Sequence, residues 1–131
     1  MMKKILQSGL LLAIALNCCA QMKADYEHAI KKIGKFYNLK QKDSLFSMYS
    51  AKADRAKISI LTGKEIDELK IRYGRMISYD YAGEEKGITL FKTEFNRSTH
   101  MVGLLLDADN KLLVFQFKMS SPYIDSLLEE K

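Results

Sequence analysis

Cysteine occurs only twice in the 131 residues, as the adjacent pair Cys18-Cys19, and tryptophan is absent. Neighbouring cysteines cannot staple a fold, because a disulfide between them is strained, so stability must come from an apolar core. Histidine is equally scarce. His28 and His100 stand far apart, without the several ligands at tight spacing that a metal centre needs, so neither metal nor cofactor is expected. The single proline, Pro122, leaves no proline-rich linker to divide the chain. Catalytic signatures are missing too. No serine lies in a Gly-x-Ser-x-Gly elbow or a Ser-x-x-Lys box. Gly83 and Gly87 flank a turn and lead into no helix, which excludes a phosphate-binding loop.

Charge of one sign is not concentrated along the chain. The net charge is +5, and lysines alternate with acids, as in Lys64-Glu65 and Glu84-Glu85-Lys86. A nucleic-acid interface wants basic side chains clustered on one face, so nucleic acid is not an expected partner.

What is present begins with a leader. Lys3-Lys4 forms a positive start, and Ile5 to Leu16 is an apolar stretch shorter than the ~20 residues that span a bilayer. Cys18 and Ala20 put small side chains where a leader peptidase reads, so residues 1–20 are expected to be a cleaved signal peptide. Residues 21–131 then form one domain, and losing Lys3 and Lys4 lowers +5 to +3. The protein is expected in the periplasm or secreted. The alternative is a lipoprotein acylated at Cys18 or Cys19, against which Asn17 and Cys18 stand where a small residue is wanted.

The first half of this domain has helical period. Tyr26, Ile30, Ile33 and Tyr37 recur at four, three and four, with Ala29 and Phe36 widening the stripe. Asp25 is placed to cap this helix and Asn38 to end it. A second helical piece is expected from Asp43, packing Leu45, Phe46, Met48 and Tyr49. Residues 51–61 are ambiguous, with an extended start at Ser59-Ile60-Leu61. Thr62-Gly63-Lys64-Glu65 matches a capping box. Ile66, Leu69 and Tyr73 follow on one helical face with Ile71 beside it, and Gly74 stops the helix.

The second half alternates. Arg75 to Tyr81, Gly87 to Phe95, Ser98 to Asp107 and Lys111 to Lys118 predict four strands. They are joined by turns at Gly83-Glu84-Glu85-Lys86, Asn96-Arg97 and Ala108-Asp109-Asn110. Turns this short demand antiparallel pairing. The expected class is α+β, with N-terminal helices packed on a curved antiparallel sheet of about four strands. Ser121-Pro122 is placed to cap a last helix carrying Tyr123, Ile124, Leu127 and Leu128.

Strands three and four are apolar on both sides. Val102, Leu104 and Leu106 oppose Met101 and Leu105, while Leu113, Phe115 and Phe117 oppose Leu112 and Val114. Such a sheet must be covered twice. The second face calls for the tail helix, a second subunit or a ligand. Tyr79, Phe91, Val102, Leu104, Phe115 and Phe117 are therefore the candidate ligand or interface residues, with ordinary core as their competing role. Asp107-Ala108-Asp109-Asn110 starts like a calcium loop, but Leu112 and Met119 occupy the positions where that loop needs Gly and Glu, so a polar turn is expected. Tyr79 and Asp80 are the candidates for a polar pair inside an apolar pocket.

The order of elements resembles a small domain that bacteria place in front of serine hydrolases, itself similar to the cone-shaped fold of nuclear transport factor two and ketosteroid isomerase. The resembling segments are 44–49 (Ser-Leu-Phe-Ser-Met-Tyr), Leu69 to Ser78, Thr93-Glu94-Phe95, Leu104 to Asp107 and Lys111 to Phe117. The resemblance implies a cone-like sheet and no catalytic residue. Two functions follow as expectations. The first is an exported, non-catalytic binding module for a small apolar ligand or an envelope protein, possible also as a homodimer through the sheet. The alternative is an isomerase or hydrolase working inside the cone, or a structural envelope lipoprotein.

Overall fold

The computed structural model describes residues 22–129, so the expected leader with Cys18 and Cys19 lies outside the described residues. Helix α1 occupies residues 22–38 and starts before Asp25, which is therefore not its cap. Ala29, Ile30, Ile33 and Tyr37 are buried along it, and Tyr26 and Phe36 are half-buried at its sides. Gly34 sits on the same face because a side chain there would meet the Met76 sulfur at 2.9 Å.

Helix α2 (Lys42–Phe46) is a single short turn and more. Gln41, not Asp43, precedes it and offers no side-chain cap, and Asp43 lies within the first turn. Met48 and Tyr49 have left the helix and run beside the sheet. A 3-10 turn (Arg55–Lys57), capped by the Asp54 side chain on the Ala56 amide, follows. Helix α3 (Gly63–Tyr73) opens on Thr62, whose side chain accepts from the Glu65 amide at 3.3 Å. The Glu65 carboxylate accepts from the Thr62 hydroxyl at 3.2 Å. Gly74 ends α3 at φ 81°, where a Cβ would strike the Asn96 side chain at 2.7 Å, so both conformation and space demand glycine.

The strands are β1 (Met76–Glu85), β2 (Ile88–Phe95), β3 (Thr99–Leu106) and β4 (Leu112–Gln116), in the order β1-β2-β3-β4 with every neighbour antiparallel. Strand β1 runs four residues past the expected Tyr81. The turn contracts to Lys86-Gly87, both at positive φ (52° and 81°), as a two-residue hairpin whose twist matches the strands requires. Gly83 and Glu84, expected in the turn, are strand residues beside a register shift between Tyr81 and Gly83.

The chain of pairing explains a second difference. A register shift between Leu105 and Leu106 turns Leu112 onto the side of Phe115 and Phe117, where all three join the main core. Leu112 and Phe115 had been expected to oppose each other.

Two layers of helix enclose the sheet. On one face α1, α2 and α3 bury Phe91, Phe95, Val102, Leu104 and Phe115. The other face carries Leu90 and Met101, and helix α4 (Pro122–Glu129) covers them with Ile124, while Leu127 and Leu128 pack alongside. Ser121 caps α4, accepting from the Ile124 amide at 3.0 Å, and donates to Glu85 at 2.9 Å, which ties the helix to the end of β1. The tail helix, one of the three covers that the two-sided sheet calls for, lies on this face.

The outer edge of β4 is occupied by residues 48–59. The Ser50 amide donates to Leu112, the Leu112 amide to Met48 and the Ser59 amide to Phe115. The edge of β1 is closed at its start, where the Asn38 side chain accepts from the Met76 amide at 2.8 Å and donates to its carbonyl at 2.9 Å.

Candidate functional site

The six strand candidates part into core and rim. Val102, Leu104 and Phe115 are fully buried among the helices and touch no solvent. Phe91 and Phe117 are buried except for an edge, and Tyr79 is half-buried. Only side chains of the last kind can meet a ligand, and each lies where a helix leaves the sheet.

The wider opening runs between α1 and β1. Glu27, His28 and Lys31 stand on its helix side, Tyr79 and Tyr81 on its strand side with Asp80 at the rim, and Phe91 at its floor, around an open groove of about 500 Å³. It adjoins a second hollow of about 280 Å³, lined by Met22, Lys23, Tyr26, Tyr81, Glu84 and Thr89. Tyr81 belongs to both. Strand alternation explains the row of rings: Tyr79 pairs with Thr93 and Tyr81 with Phe91, so all four project to the α1 side. Tyr79 and Tyr81 meet Phe91 edge-on, with centroids 6.4 Å and 6.2 Å away. The position of α1 above them is fixed by Tyr26, whose hydroxyl accepts from the Leu106 amide at 3.0 Å.

Charge frames the groove without filling it. Lys23 reaches over the Tyr81 ring at 5.2 Å and toward Glu27 at 3.9 Å. Asp80 is exposed at the rim and pairs across the strands with Lys92. The polar pair proposed from Tyr79 and Asp80 therefore lies in water contact, not inside an apolar pocket. Alternation puts Asp80 on the opposite side of β1 from Tyr79.

Phe117 borders another hollow of about 250 Å³ with Tyr73, Arg72, Glu65 and Lys118. Behind it lies a contact that residue counting missed. Ser98 Oγ and His100 Nε2 are 2.8 Å apart, an arrangement that Ser-x-His spacing on a strand permits. His100 is buried against the Tyr73 ring at 4.4 Å. Burial first, and the Lys118 charge second, hold its imidazole below the ordinary 6.5. The pair lines none of the hollows described above. Asp107 is likewise accounted for by structure: its carboxylate accepts from the Asp109 and Lys111 amides at 2.8 Å and 2.9 Å, which shapes the β3–β4 turn. Among the described residues no three His, Cys, Asp or Glu side chains gather as a metal site.

The contribution of α1 to the groove was not legible beforehand, because Glu27, His28 and Lys31 belong to the polar side of its stripe. Fold and groove together define a small α+β domain with helices on both faces of a four-stranded meander and an aromatic-floored cleft at the rim. Comparison with known protein families, with curated proteins and with solved structures returns no match.

Proposed function

We propose that this protein is an exported, non-catalytic binding module whose ligand lies in the groove between α1 and β1. The row Tyr79, Phe91 and Tyr81 carries this reading. Three aromatic side chains at one opening supply apolar contact area with polar tips, the composition that ligand sites favour. The burial of Val102, Leu104 and Phe115 supports it as well, since a ligand reaching them would have to displace core packing. The groove itself, about 500 Å³, falls within the ~300–1,000 Å³ range of small-molecule sites, which suits a compact, ring-sized molecule. Export belongs to the proposal through the leader at residues 1–20. The resemblance to the modules that precede serine hydrolases is in keeping with helices followed by a meander.

The experiment uses N-phenyl-1-naphthylamine, a neutral apolar dye that brightens out of water. The full chain should give a saturable rise. Tyr79→Ser and Tyr81→Ser should weaken it, and Ile71→Ser, on α3, should not. A rise that ignores both tyrosines, or no saturation, would reject the groove.

A further inference from the structure

Basic side chains that alternate with acids along the sequence are gathered by the fold at one end of the molecule. The end of α3 supplies Lys70, Arg72 and, just past Gly74, Arg75. The turn after α1 supplies Lys40, and the β2–β3 turn supplies Arg97. These segments are bonded to one another. Lys70 donates to the Asn38 carbonyl at 2.7 Å, the Tyr37 hydroxyl to Gly74 at 2.8 Å, and the Arg75 amide to the Asn96 side chain at 2.8 Å. The Arg97 guanidinium donates to the Ile71 carbonyl, and its amide to Tyr73 at 3.1 Å.

Among the described residues, none of these five cations sits in an ion pair. Asp67, the carboxylate that Lys70 senses, is held by Lys42 at 2.8 Å. Like charge is crowded enough that Lys40 and Arg75, after burial itself, hold the Lys70 ammonium below its ordinary value.

Large aliphatic side chains stand out from the same end: Ile71 is 74% exposed, Leu39 58% and Ile77 56%. These are among the most exposed large apolar residues described. None of the three belongs to either core cluster. Cations alone suit any polyanion. Cations with protruding aliphatic tips suit a surface that is anionic outside and hydrocarbon beneath. A nucleic acid would instead be met by aromatic stacking or side-chain amides, and Leu39 and Ile71 offer neither.

We propose that this end of the molecule docks on an anionic phospholipid bilayer, with Lys40, Lys70, Arg72, Arg75 and Arg97 at the headgroups and Leu39 and Ile71 entering the layer below them. The surface is separate from the α1–β1 groove, and its docking would leave that groove open to a ligand.

Flotation of the full chain with vesicles tests this. Phosphatidylcholine vesicles are compared with vesicles that also contain phosphatidylglycerol. Each cation near such a surface contributes roughly fivefold in partition, so losing three of them lowers binding on the order of a hundredfold, and the triple reversal Lys40→Glu, Arg72→Glu, Arg75→Glu should lower binding to the anionic vesicles by at least that much. The same net change made at Lys52, Arg55 and Lys57, in the exposed loop before Ile58, should lower it far less. Leu39→Ser with Ile71→Ser should also weaken binding. All variants keep the same amino terminus, so the differences belong to the patch, and unchanged circular dichroism certifies the fold. Equal binding to both vesicle types, an equal loss in the loop variant, or full binding by the aliphatic double variant would each overturn the proposal. Retention on duplex DNA with no preference for anionic vesicles would overturn it in favour of a nucleic acid.

Discussion

His100 is a base that folding strips of water. Its ring is buried beside Tyr73 and Phe95, and the Lys118 charge adds to the cost of protonating it. Unfolded, it takes up a proton as pH falls through the ordinary 6.5; folded, it resists until lower pH. Between those two values the unfolded state binds more protons, so stability falls as the solution is acidified and recovers above 6.5. His100→Gln keeps a side-chain hydrogen-bonding group and removes the titration. Melting temperature measured across this range should decline more steeply toward acid for the parent than for the variant. Parallel curves would show that His100 accepts its proton in the folded state. Other single residues do quieter work. The Tyr37 hydroxyl, pushed well up by burial and so kept protonated, is spent on the Gly74 carbonyl, and it anchors the end of α3 to α1. Asn38, expected only to end a helix, also closes the first rung of the open β1 edge.

Elements were legible where local chemistry governs them. The α1 stripe, the Thr62 capping box, Gly74 and Ser121-Pro122 each announce themselves through spacing or a required φ, and each lies where the pattern puts it. The alternation of β2 and β3 assigned Phe91, Val102, Leu104 and Met101 to the correct faces. Three features were hidden because they depend on partners distant in sequence. The shift near Leu106 that turns Leu112 inward is a matter of pairing, not composition. Tyr49 and Ile58 become bridges to β4 only because its edge lies open to them. Ile71, read as flanking the buried face of α3, points to solvent because the sheet lies on the side of Ile66. Helix α4 shows most directly what an element contributes. It is short, and helices of fewer than ~12–15 residues are marginal alone, so its stability comes from packing on Leu90 and Met101. Ile124 is fully buried at that contact. Ile124→Ala should cost about 2–5 kcal/mol in denaturant unfolding, as for a core aliphatic. A loss within experimental error would mean that α4 rides on the sheet without supporting it.

At the scale of the whole molecule, the chain resolves a sheet that is apolar on both sides by laying helices that precede and follow it in sequence across its two faces. Helix α1 fills the face of Phe91, Val102 and Phe115, and α4 covers the face of Leu90 and Met101. The same α4 face is the one a second copy would use to form a homodimer through the sheet. Pairing and α4 docking therefore compete for the same side chains, and α4, being covalently attached, acts at high effective concentration. The link includes Ser121 to Glu85, Lys92 to the Leu127 carbonyl at 3.5 Å, and the apolar cluster around Ile124. A chain ending at Ser120 should leave Leu90, Met101 and Ile88 uncovered, an apolar patch of the kind that drives association. In sedimentation equilibrium the intact chain should behave as a single copy, and the shortened chain should pair with rising concentration. Its pairing should weaken when Met101→Lys places a charge at the centre of the exposed face. If the shortened chain stays single and soluble at concentrations where the intact chain is measured, the sheet has no affinity for a second copy. The partner of this protein must then be sought at its grooves and its basic end.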